Sequence, residues 1–403
     1  MKHILFTWEL GAGYGHIAHL LPIAEEMQKR GFSPIFAIKD LARAENALGK
    51  YNFPILQAPA WMAKPVGMPP AVTFSDILFR SGYFSVDGLT SLLKAWHYIF
   101  SLVKPSLIVA DHSPTALLAA RGTSIPKIVV GSSFTIPPLT TPLPPLMKEG
   151  ISPKELNFRE TTAIENINQA LAKLEKPPID HLCDIFKVNG TFMFTIPEFD
   201  HYGHIRKHGS YIGPAIMQNC GLDPIWPQYN GKKIFAYLYP SYKGFKHIIK
   251  VLNRLNCASV IYAPGISKRD KTLLQTDKLF IYEDIINLNN VIKVCDAAIC
   301  HSGAGTGSAF LLAGIPVLLL PFHLEQMTIA KLITRTGAGL MLMPDAKKLD
   351  YKKAIKNLLD EPHLAQNAKL LSQKYQYCHI QGVKKIAKTC DTLLSQNRNV
   401  KDN

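Results

Sequence analysis

Short apolar runs alternate with helically periodic segments along the first half of the chain. An apolar run at 3–8 leads into glycines at 11, 13 and 15, and the apolar residues that follow recur at helical spacing, at Ile17, Leu20, Leu21, Ala24 and Met27. Further strands are predicted at 33–38, 107–110 and 127–131, and further helices at 86–103 and 115–121. Strands that alternate with helices predict a parallel sheet covered by helices on both faces.

The second half of the chain repeats this alternation. Its predicted strands cover 233–239, 259–263, 278–282, 296–300 and 317–320, and its predicted helices include 245–255 and 325–336. The fold class predicted is therefore α/β, with two doubly wound Rossmann-like domains facing each other across a cleft.

Glycines and prolines cluster between the two halves, where the apolar periodicity is weak. We therefore predict an N-terminal domain at 1–214, a linker at 215–231 and a C-terminal domain at 232–380. The tail 381–403 predicts a final amphipathic helix that packs back toward the N-terminal domain.

The composition is that of a folded protein, with 47% hydrophobic and 19% charged residues over a length of 403. The longest apolar stretch, 310–322, contains one glycine and two prolines and falls short of the about 20 residues that cross a bilayer. The N-terminus lacks the apolar core of a signal peptide. The seven cysteines form no Cys-x-x-Cys, which indicates free thiols and a cytoplasmic location.

The net charge of +15 is concentrated in the second half of the chain, where residues 215–403 hold 25 Lys and Arg against 13 Asp and Glu. Such an excess favours an anionic partner, either a phosphate-bearing ligand or the surface of an anionic membrane. A generic solubilising surface explains the charge equally well. Nucleic acid is excluded as a partner because no aromatic residues are interleaved with the basic ones.

Each half places a glycine turn between a strand and a helix, where doubly wound sheets bind ligands. In the second half, Gly303 and Gly305 let backbone N–H groups approach a ligand, and the helix that follows points its positive end at the same place. His301 and Thr306 add polar side chains to this predicted diphosphate site. A purely structural tight turn is the alternative.

In the first half the turn reads Gly11-x-Gly13-x-Gly15-His16, which departs from the Gly-x-Gly-x-x-Gly of dinucleotide-binding proteins. An imidazole at this position is suited to general-base work near neutral pH. The alternative is an ordinary histidine at the start of a helix. The segment Asp111-His112-Ser113-Pro114, directly after a predicted strand, has the form of an N-cap arrangement for the next helix.

Several motifs in order resemble nucleotide-sugar glycosyltransferases of the GT-B fold. They are Gly13-Tyr14-Gly15-His16, Tyr211-Ile212-Gly213-Pro214, Glu283-Asp284-Ile285-Ile286, His301-Ser302-Gly303-Ala304-Gly305-Thr306, Ala313-Gly314-Ile315-Pro316 and Glu325-Gln326. The later motifs resemble the donor-binding signature of family 1, closest to its bacterial macrolide and natural-product members.

This resemblance implies an inverting hexosyltransferase that uses a UDP- or dTDP-sugar. It implies that the N-terminal domain binds the acceptor and the C-terminal domain binds the donor. His16 would deprotonate the acceptor hydroxyl and Asp111 would orient His16. The implied donor contacts are His301, Ser302, Gly303, Ala304, Gly305 and Thr306 to the diphosphate, Glu325 and Gln326 to the sugar, and Ile285 and Ile286 to the base.

The chain departs from the family pattern at three places. Ala309 stands where many UDP-using relatives have a glutamate that binds the ribose, so either the ribose is bound more weakly or the donor carries a deoxyribose nucleotide, as a dTDP-sugar does. Glu325 replaces the usual aspartate, so the identity of the sugar stays open. Ser302 and Gly307 are also unusual, although both residues are small enough for the turn.

No metal or other cofactor is predicted, because the chain has no Asp-x-Asp of the kind that holds a diphosphate through a metal. His16-x-x-His19 and His201-x-x-His204-x-x-x-His208 have spacings that metal sites use, but neither has an evident acidic or cysteine partner. Trp61 and Met62 are candidates for an apolar acceptor site, with ordinary loop packing as the alternative.

The predicted partners are a nucleoside-diphosphate sugar and a hydroxylated small molecule or lipid, with peripheral contact to an anionic membrane. Two other functions stay open: a GT-B-fold epimerase acting on its own nucleotide sugar, and a non-catalytic nucleotide-sugar-binding protein. An NAD oxidoreductase is the weakest alternative, because Gly15-His16 breaks the dinucleotide fingerprint.

Overall fold

The structure of the protein is a computed structural model that describes residues 2–63, 67–68, 70–146, 150–215, 221–303, 305–343 and 350–399. The chain divides into two compact units. Unit 1 comprises Met1–Phe194, Tyr202–Ile212 and Ile380–Asn403, and unit 2 comprises Thr195–His201 and Gly213–His379. Both are α/β units built on a parallel sheet, as the alternating pattern predicts.

Unit 1 contains a seven-stranded parallel sheet with the strand order β3-β2-β1-β4-β5-β6-β7. Its strands are β1 (His3–Trp8), β2 (Ser33–Ile38), β3 (Ile55–Gln57), β4 (Leu107–Asp111), β5 (Lys127–Gly131), β6 (Gly190–Met193) and β7 (Ser210–Tyr211). Its helices are α1 (Gly15–Lys29), α2 (Leu41–Leu48), α3 (Phe74–Leu78), α4 (Val86–Val103), α5 (Pro114–Ala119) and α6 (Pro153–Ala172).

Unit 2 contains a six-stranded parallel sheet with the strand order β10-β9-β8-β11-β12-β13. Its strands are β8 (Lys232–Tyr237), β9 (Cys257–Tyr262), β10 (Leu279–Tyr282), β11 (Ala297–Cys300), β12 (Val317–Leu319) and β13 (Gly339–Met341). The remaining helices are α7 (Phe245–Arg254), α8 (Lys268–Leu274), α9 (Leu288–Val291), α10 (Thr306–Leu312), α11 (Leu324–Arg335), α12 (Tyr351–Asp360), α13 (Pro362–Tyr375) and α14 (Cys378–Asn399).

The core strands are buried on both faces, which is why they read in the sequence as continuous apolar runs. Strand order reverses between β1 and β4 in unit 1 and between β8 and β11 in unit 2. At these switch points Trp8 pairs with Asp111, and Tyr237 pairs with Cys300. Loops beyond such strand ends diverge to opposite faces of the sheet and leave a crevice, so these two edges are where ligand sites are expected.

The unit boundaries differ from the predicted domain boundaries mainly at Thr195–His201, which lies in unit 2; Gly213 and Pro214 also lie in unit 2, and Ile380 lies in unit 1. Ile196 and Phe199 of this segment pack in the apolar core of unit 2. Residues 216–220 of the predicted linker lie outside the described residues.

The C-terminal helix α14 begins at Cys378, three residues before the predicted tail, and its residues from Ile380 onward belong to unit 1. Lys2 donates a hydrogen bond to the Leu394 carbonyl at 2.8 Å, and Arg30 forms an ion pair with Asp391. The described part of α14 ends at Asn399, so residues 400–403 of the predicted tail lie outside it. In the described parts of the chain, no helix is both long enough and apolar enough to span a bilayer.

Candidate functional site

The site in unit 1 is built around Asp111, the last residue of β4. Asp111 is completely buried, and its Oδ1 lies 3.0 Å from Nδ1 of His16 in the first turn of α1. The two residues are 95 positions apart in the chain, and the pairing of β1 with β4 brings them together. Within the segment expected as an N-cap arrangement, 111–114, Ser113 is the cap residue of α5, and its side chain makes no cap hydrogen bond.

A second histidine binds the other oxygen of the same carboxylate. Nδ1 of His19 lies 2.7 Å from Oδ2 of Asp111, and the His19 ring stacks on Phe194 with centroids 4.6 Å apart. Burial alone would raise the pKa of Asp111, but the imidazoles of His16 and His19 outweigh it and hold that pKa well below its ordinary value. Asp111 is therefore an ionised acceptor, and each histidine donates to it from Nδ1.

The other ring nitrogen of His16 has no hydrogen-bond partner among the described residues. Because the proton is on Nδ1, Nε2 keeps its lone pair and is able to accept a proton. The ring is fixed by stacking on Trp8, with centroids 4.9 Å apart and an interplanar angle of 20°. His16 therefore has the tautomer and the fixed orientation that a general base requires.

Gly11 closes this site on one side with a backbone that only glycine adopts easily, at a φ of +80°. A methyl group at Gly11 would lie 2.6 Å from Nε2 of His16 and 3.3 Å from Nδ1 of His112. The absence of a side chain at Gly11 therefore leaves both nitrogens bordering one small space.

Beneath the site, Glu9 is a buried carboxyl that accepts hydrogen bonds from the Trp96 indole and from the backbone N–H of Thr115. Burial raises its pKa to about 7, against the opposing effect of these hydrogen bonds. Glu9 thus links the end of β1 to α4 and to the start of α5, which positions the loop that carries Gly11.

His16, His19 and Asp111 also have the spacing of a metal site, with ligand atoms within 4.8 Å of one another. The expectation that no acidic residue completes the His16-x-x-His19 pair is therefore wrong, because β4 supplies Asp111 from a distant part of the sequence. Both Nδ1 atoms and both carboxylate oxygens are already paired with one another, however. The three histidines at 201, 204 and 208 form no such group within the described residues.

The site in unit 2 begins where β11 ends. Ser302 has a φ of 62°, a backbone conformation that few residues other than glycine adopt. Its buried Oγ has no hydrogen-bond partner among the described residues. Gly303 is exposed, and Gly305 and Thr306 are half-buried at the start of the short helix α10. Ala304 lies outside the described residues.

His301 differs from the expectation of an imidazole that binds phosphate. Its Nδ1 lies 2.9 Å from the Leu320 carbonyl, and its Nε2 accepts the backbone N–H of Tyr239 at 2.9 Å. Burial lowers its pKa to about 4, so the ring is neutral and both nitrogens are used by the backbone. The expected role as a positive ligand is therefore corrected: His301 ties β11 to the ends of β8 and β12.

Three tyrosines at the end of β8 are site residues that the sequence reasoning missed. Tyr239 stacks on His301 with centroids 5.4 Å apart, Tyr242 meets the same ring edge-on, and the Tyr237 and Tyr239 hydroxyls are 2.8 Å apart. Their signal in the sequence is the run Tyr237-Leu238-Tyr239-Pro240-Ser241-Tyr242, which begins at the end of a strand, at the edge where ligands bind.

Glu325 and Gln326 lie in the first turn of α11. Gln326 is 7% exposed, and its Oε1 accepts the Phe322 N–H at 3.1 Å, which leaves the amide nitrogen for a ligand. Of the two residues expected at the nucleotide base, Ile285 is half-buried, whereas Ile286 is 3% exposed and packs in the apolar core. Ala309 is buried and offers no polar group.

Trp61 and Met62, the candidates for acceptor binding, lie in the loop before α3. The indole of Trp61 lies over two glycines, since a methyl group at Gly82 or Gly88 would come within 3.0 Å of it. Trp61 is 39% exposed and Met62 is 87% exposed. The two glycines thus make room for Trp61 against α4, and Met62 is open to solvent.

Comparisons with known proteins identify a matching family profile and similar sequences. The family profile described as "Erythromycin biosynthesis protein CIII-like, C-terminal domain" matches residues 277–377, which lie within unit 2. A PGL/p-HBAD biosynthesis glycosyltransferase of Mycobacterium tuberculosis is 21% identical over 394 residues, covering 93% of this chain and 89% of that protein.

Solved structures share the fold over nearly the whole chain. The calicheamicin glycosyltransferase CalG4 has a TM-score of 0.72 at 17% identity, covering 98% of both chains. The spinosyn rhamnosyltransferase SpnG complexed with thymidine diphosphate has a TM-score of 0.64 at 16% identity, covering 93% of this chain and 96% of that one.

The two parallel-sheet α/β units match the fold of GT-B glycosyltransferases. Together with the sequence relatives, they support a macrolide-type glycosyltransferase of family 1, the class that the motifs indicated. These sequence relatives are named as a glycosyltransferase and a rhamnosyltransferase.

Proposed function

We propose that this protein is an inverting glycosyltransferase that needs no metal and moves a sugar from a nucleoside diphosphate to a hydroxyl group of a small molecule or lipid. The observation that carries this proposal is the pairing of His16 with the buried Asp111, which leaves Nε2 of His16 as a free base. The proposal assigns acceptor activation to unit 1 and donor binding to unit 2.

In the proposed reaction Nε2 of His16 takes the proton of the acceptor hydroxyl. The oxygen then attacks the anomeric carbon of the sugar, and the bond from that carbon to the diphosphate breaks with its electron pair leaving on the diphosphate. Asp111 stabilises the imidazolium that forms, and His19 shares the same carboxylate. A single displacement of this kind inverts the configuration at the anomeric carbon.

The donor diphosphate is assigned to the turn from Ser302 to Thr306. The unpartnered Oγ of Ser302 is a buried donor that a phosphate oxygen would satisfy, and the open backbone at Gly303 and Gly305 offers N–H groups beside it. Uncharged donors of this kind stabilise the leaving diphosphate where no Asp-x-Asp is present to hold a metal. His301 supports the turn without contacting the phosphate in this proposal.

The nucleotide proposed is a thymidine diphosphate sugar. Ala309 supplies no carboxylate for a ribose diol, so a donor that lacks one ribose hydroxyl loses nothing at this position. Thymidine diphosphate is the ligand of the related rhamnosyltransferase structure described above. Ile285 is assigned to the base, and Glu325 with the free amide nitrogen of Gln326 is assigned to the hydroxyls of the sugar.

Trp61 and Met62 are assigned to the acceptor, as an apolar surface on unit 1. The exposed side chain of Met62 and the partly exposed indole of Trp61 would cover an apolar molecule that carries the reacting hydroxyl. This assignment fits an aromatic or lipid acceptor better than a free sugar.

A lipid acceptor also gives the basic charge of unit 2 a role, as a surface for an anionic membrane. The solvent-facing side of α7 carries Lys246, His247, Lys250 and Arg254, and α7 contains no acidic residue. The neighbouring helix α12 adds three exposed lysines at 352, 353 and 356, and its Tyr351 packs against His247. On this face Lys246 pairs with Asp270 at 2.8 Å, and it is the only one of these basic residues with an acidic partner among the residues that the structure describes.

Vesicle binding tests the membrane assignment. The triple variant Lys250→Gln, Arg254→Gln and Lys356→Gln should bind phosphatidylglycerol vesicles about a hundredfold more weakly than the wild type, at about 1 kcal/mol per charge. A matched control removes three exposed lysines of unit 1, in Lys94→Gln, Lys154→Gln and Lys207→Gln. An equal loss in both variants would indicate non-specific attraction and would remove this assignment.

The experiment that tests the transferase itself combines donor screening with product analysis. A thermal-shift screen of UDP-, dTDP- and GDP-sugars should show the largest stabilisation with a dTDP-sugar, because bound ligand shifts unfolding by mass action. With that donor and a panel of phenols and alcohols, NMR should show a glycoside of inverted anomeric configuration, at the same rate with and without EDTA. A changed sugar without acceptor would identify an epimerase instead, and donor binding without turnover would identify a binding protein.

A further inference from the structure

His112 is a buried histidine beside the pair formed by Asp111 and His16. It follows Asp111 directly and is 7% exposed, and neither Nδ1 nor Nε2 forms a hydrogen bond of ordinary geometry with any of the described residues, although the Leu10 backbone is close enough to act on its pKa. Leaving a buried polar group unpaired costs about 1–3 kcal/mol, and such groups need a specific reason in a folded protein. The two nitrogens of His112 therefore point to a ligand.

The backbone at His112 is also unfavourable. Its φ of 45° lies in the left-handed region, which few residues other than glycine adopt, although histidine adopts it more often than most. The carbonyl of His112 accepts the N–H of Leu10 at 3.1 Å, which joins this strained position to the loop that carries Gly11. Strain of about 1–3 kcal/mol at a single residue is typical of functional sites.

The ring of His112 lies next to the ring of His16, the proposed base. The rings of His112 and His16 are stacked, with centroids 5.9 Å apart and an interplanar angle of 29°. Nδ1 of His112 and Nε2 of His16 border the same space beside Gly11. Burial, reinforced by the neighbouring His16, lowers the pKa of His112 to about 3, so its imidazole is neutral and is able to donate one hydrogen bond.

We propose that His112 binds the acceptor, by donating a hydrogen bond from Nδ1 to the oxygen of the hydroxyl group that His16 deprotonates. This inference rests on the proposed function, because it concerns the acceptor of that reaction. The hydroxyl oxygen then has three partners: its proton goes to Nε2 of His16, one lone pair accepts from His112, and the second lone pair attacks the sugar. His112 orients the oxygen and exchanges no proton.

This arrangement has a consequence for specificity. A neutral amine has a single lone pair, which must attack the sugar, so it has none left to accept a hydrogen bond from His112. The hydrogen bond therefore favours oxygen over nitrogen acceptors, since an amine would leave the buried donor of His112 unpaired. The ligand class assigned to His112 is an alcohol or phenol.

The test compares 2-naphthol with 2-naphthylamine as acceptors, using the nucleotide sugar that stabilises the wild type most. In His112→Gly, transfer to 2-naphthol should fall about tenfold or more, while transfer to 2-naphthylamine changes by less than about threefold. Glycine suits the left-handed backbone, so this variant should fold, and its thermal unfolding is measured as a control.

His112→Asn is the matched variant. Asparagine tolerates the same backbone, and its side-chain N–H₂ donates from a position near that of Nδ1, so most of the activity toward 2-naphthol and of the oxygen preference should return. An unchanged ratio of oxygen to nitrogen transfer in His112→Gly would overturn the proposal. A wild type that glycosylates no hydroxyl compound at all would instead contradict the proposed function.

Discussion

Nδ1 of His19 lies 2.7 Å from Oδ2 of Asp111, so the carboxylate that binds His16 through one oxygen is held by a second imidazole through the other. The His19 ring is itself fixed, because it stacks on Phe194 at an interplanar angle of 5°. The orientation of Asp111, and through it that of His16, therefore depends on a residue that does not face the reacting groups.

His19 is accordingly a positioning residue, and replacing it should slow turnover without changing donor binding. In His19→Leu we expect kcat to fall about tenfold to hundredfold, the value of one hydrogen bond to a charged group. His19→Asn keeps an N–H donor near Nδ1 and should recover most of this loss. Steady-state kinetics check the pair, and a His19→Leu variant with the kcat of the wild type would contradict this role.

The buried carboxyl of Glu9 should make the free energy of unfolding decrease as the pH rises. Its pKa is raised from 4.5 to about 7 by burial, so the folded state binds the proton more tightly than the unfolded state. This contribution to stability is fully present below about pH 4.5 and is lost as the pH rises through about 7.

The variant Glu9→Gln lacks this titration. As the pH rises from about 4.5 to about 8, the free energy of unfolding of Glu9→Gln should increase relative to that of the wild type, by up to about 3 kcal/mol. Denaturant unfolding at both pH values measures the difference. A gap between the two proteins that stays constant with pH would show that folding does not change the pKa of Glu9.

Two variants of Ser302 distinguish the effect of backbone strain from the effect of ligand binding. Ser302→Gly removes the left-handed strain and the hydroxyl, whereas Ser302→Ala removes only the hydroxyl. Both variants should bind thymidine diphosphate about twofold to tenfold more weakly, the value of one hydrogen bond, while only Ser302→Gly gains thermal stability. Calorimetric titration and thermal unfolding distinguish the two effects, and unchanged affinity in Ser302→Ala would remove Ser302 from the donor site.

His301 should act as a structural residue. His301→Ala leaves the N–H of Tyr239 and the carbonyl of Leu320 without their partner, so the free energy of unfolding should fall by about 2–4 kcal/mol. Because the wild-type ring is neutral, the affinity for a dTDP-sugar should be constant between about pH 5.5 and pH 8. Affinity that rises as His301 gains a proton would restore the phosphate-binding role predicted from the sequence.

Most of the fold was predictable from the sequence because buried parallel strands give unmistakable apolar runs. The strands at 3–8, 33–38 and 127–131 and the helix at 86–103 have the predicted bounds. The short helix α2 was not predicted, since its apolar positions are mostly alanine and its start depends on a cap by Asp40. The residue pairs that the switch point brings together, such as Trp8 and Asp111, follow from strand order and leave no local signal.

The candidate site was predictable where a motif marks it and was missed where chemistry depends on distant contacts. The glycine turns indicated His16 and Ser302. The second bond to Asp111 from His19, the unpartnered ring of His112 and the backbone bonds of His301 depend on strand pairing and burial. A histidine looks the same in a sequence whether its nitrogens are free or occupied.

The role of His16 as the base is the claim on which the whole reaction depends. The direct measurement is the transfer rate of His16→Gln beside its dissociation constant for the donor, with Asp111→Asn as a matched variant that removes the partner and keeps the base. We expect His16→Gln to lose about a thousandfold or more in kcat with an unchanged donor dissociation constant, and Asp111→Asn to lose activity as well. A His16→Gln enzyme that transfers sugar at a rate near that of the wild type would contradict the account.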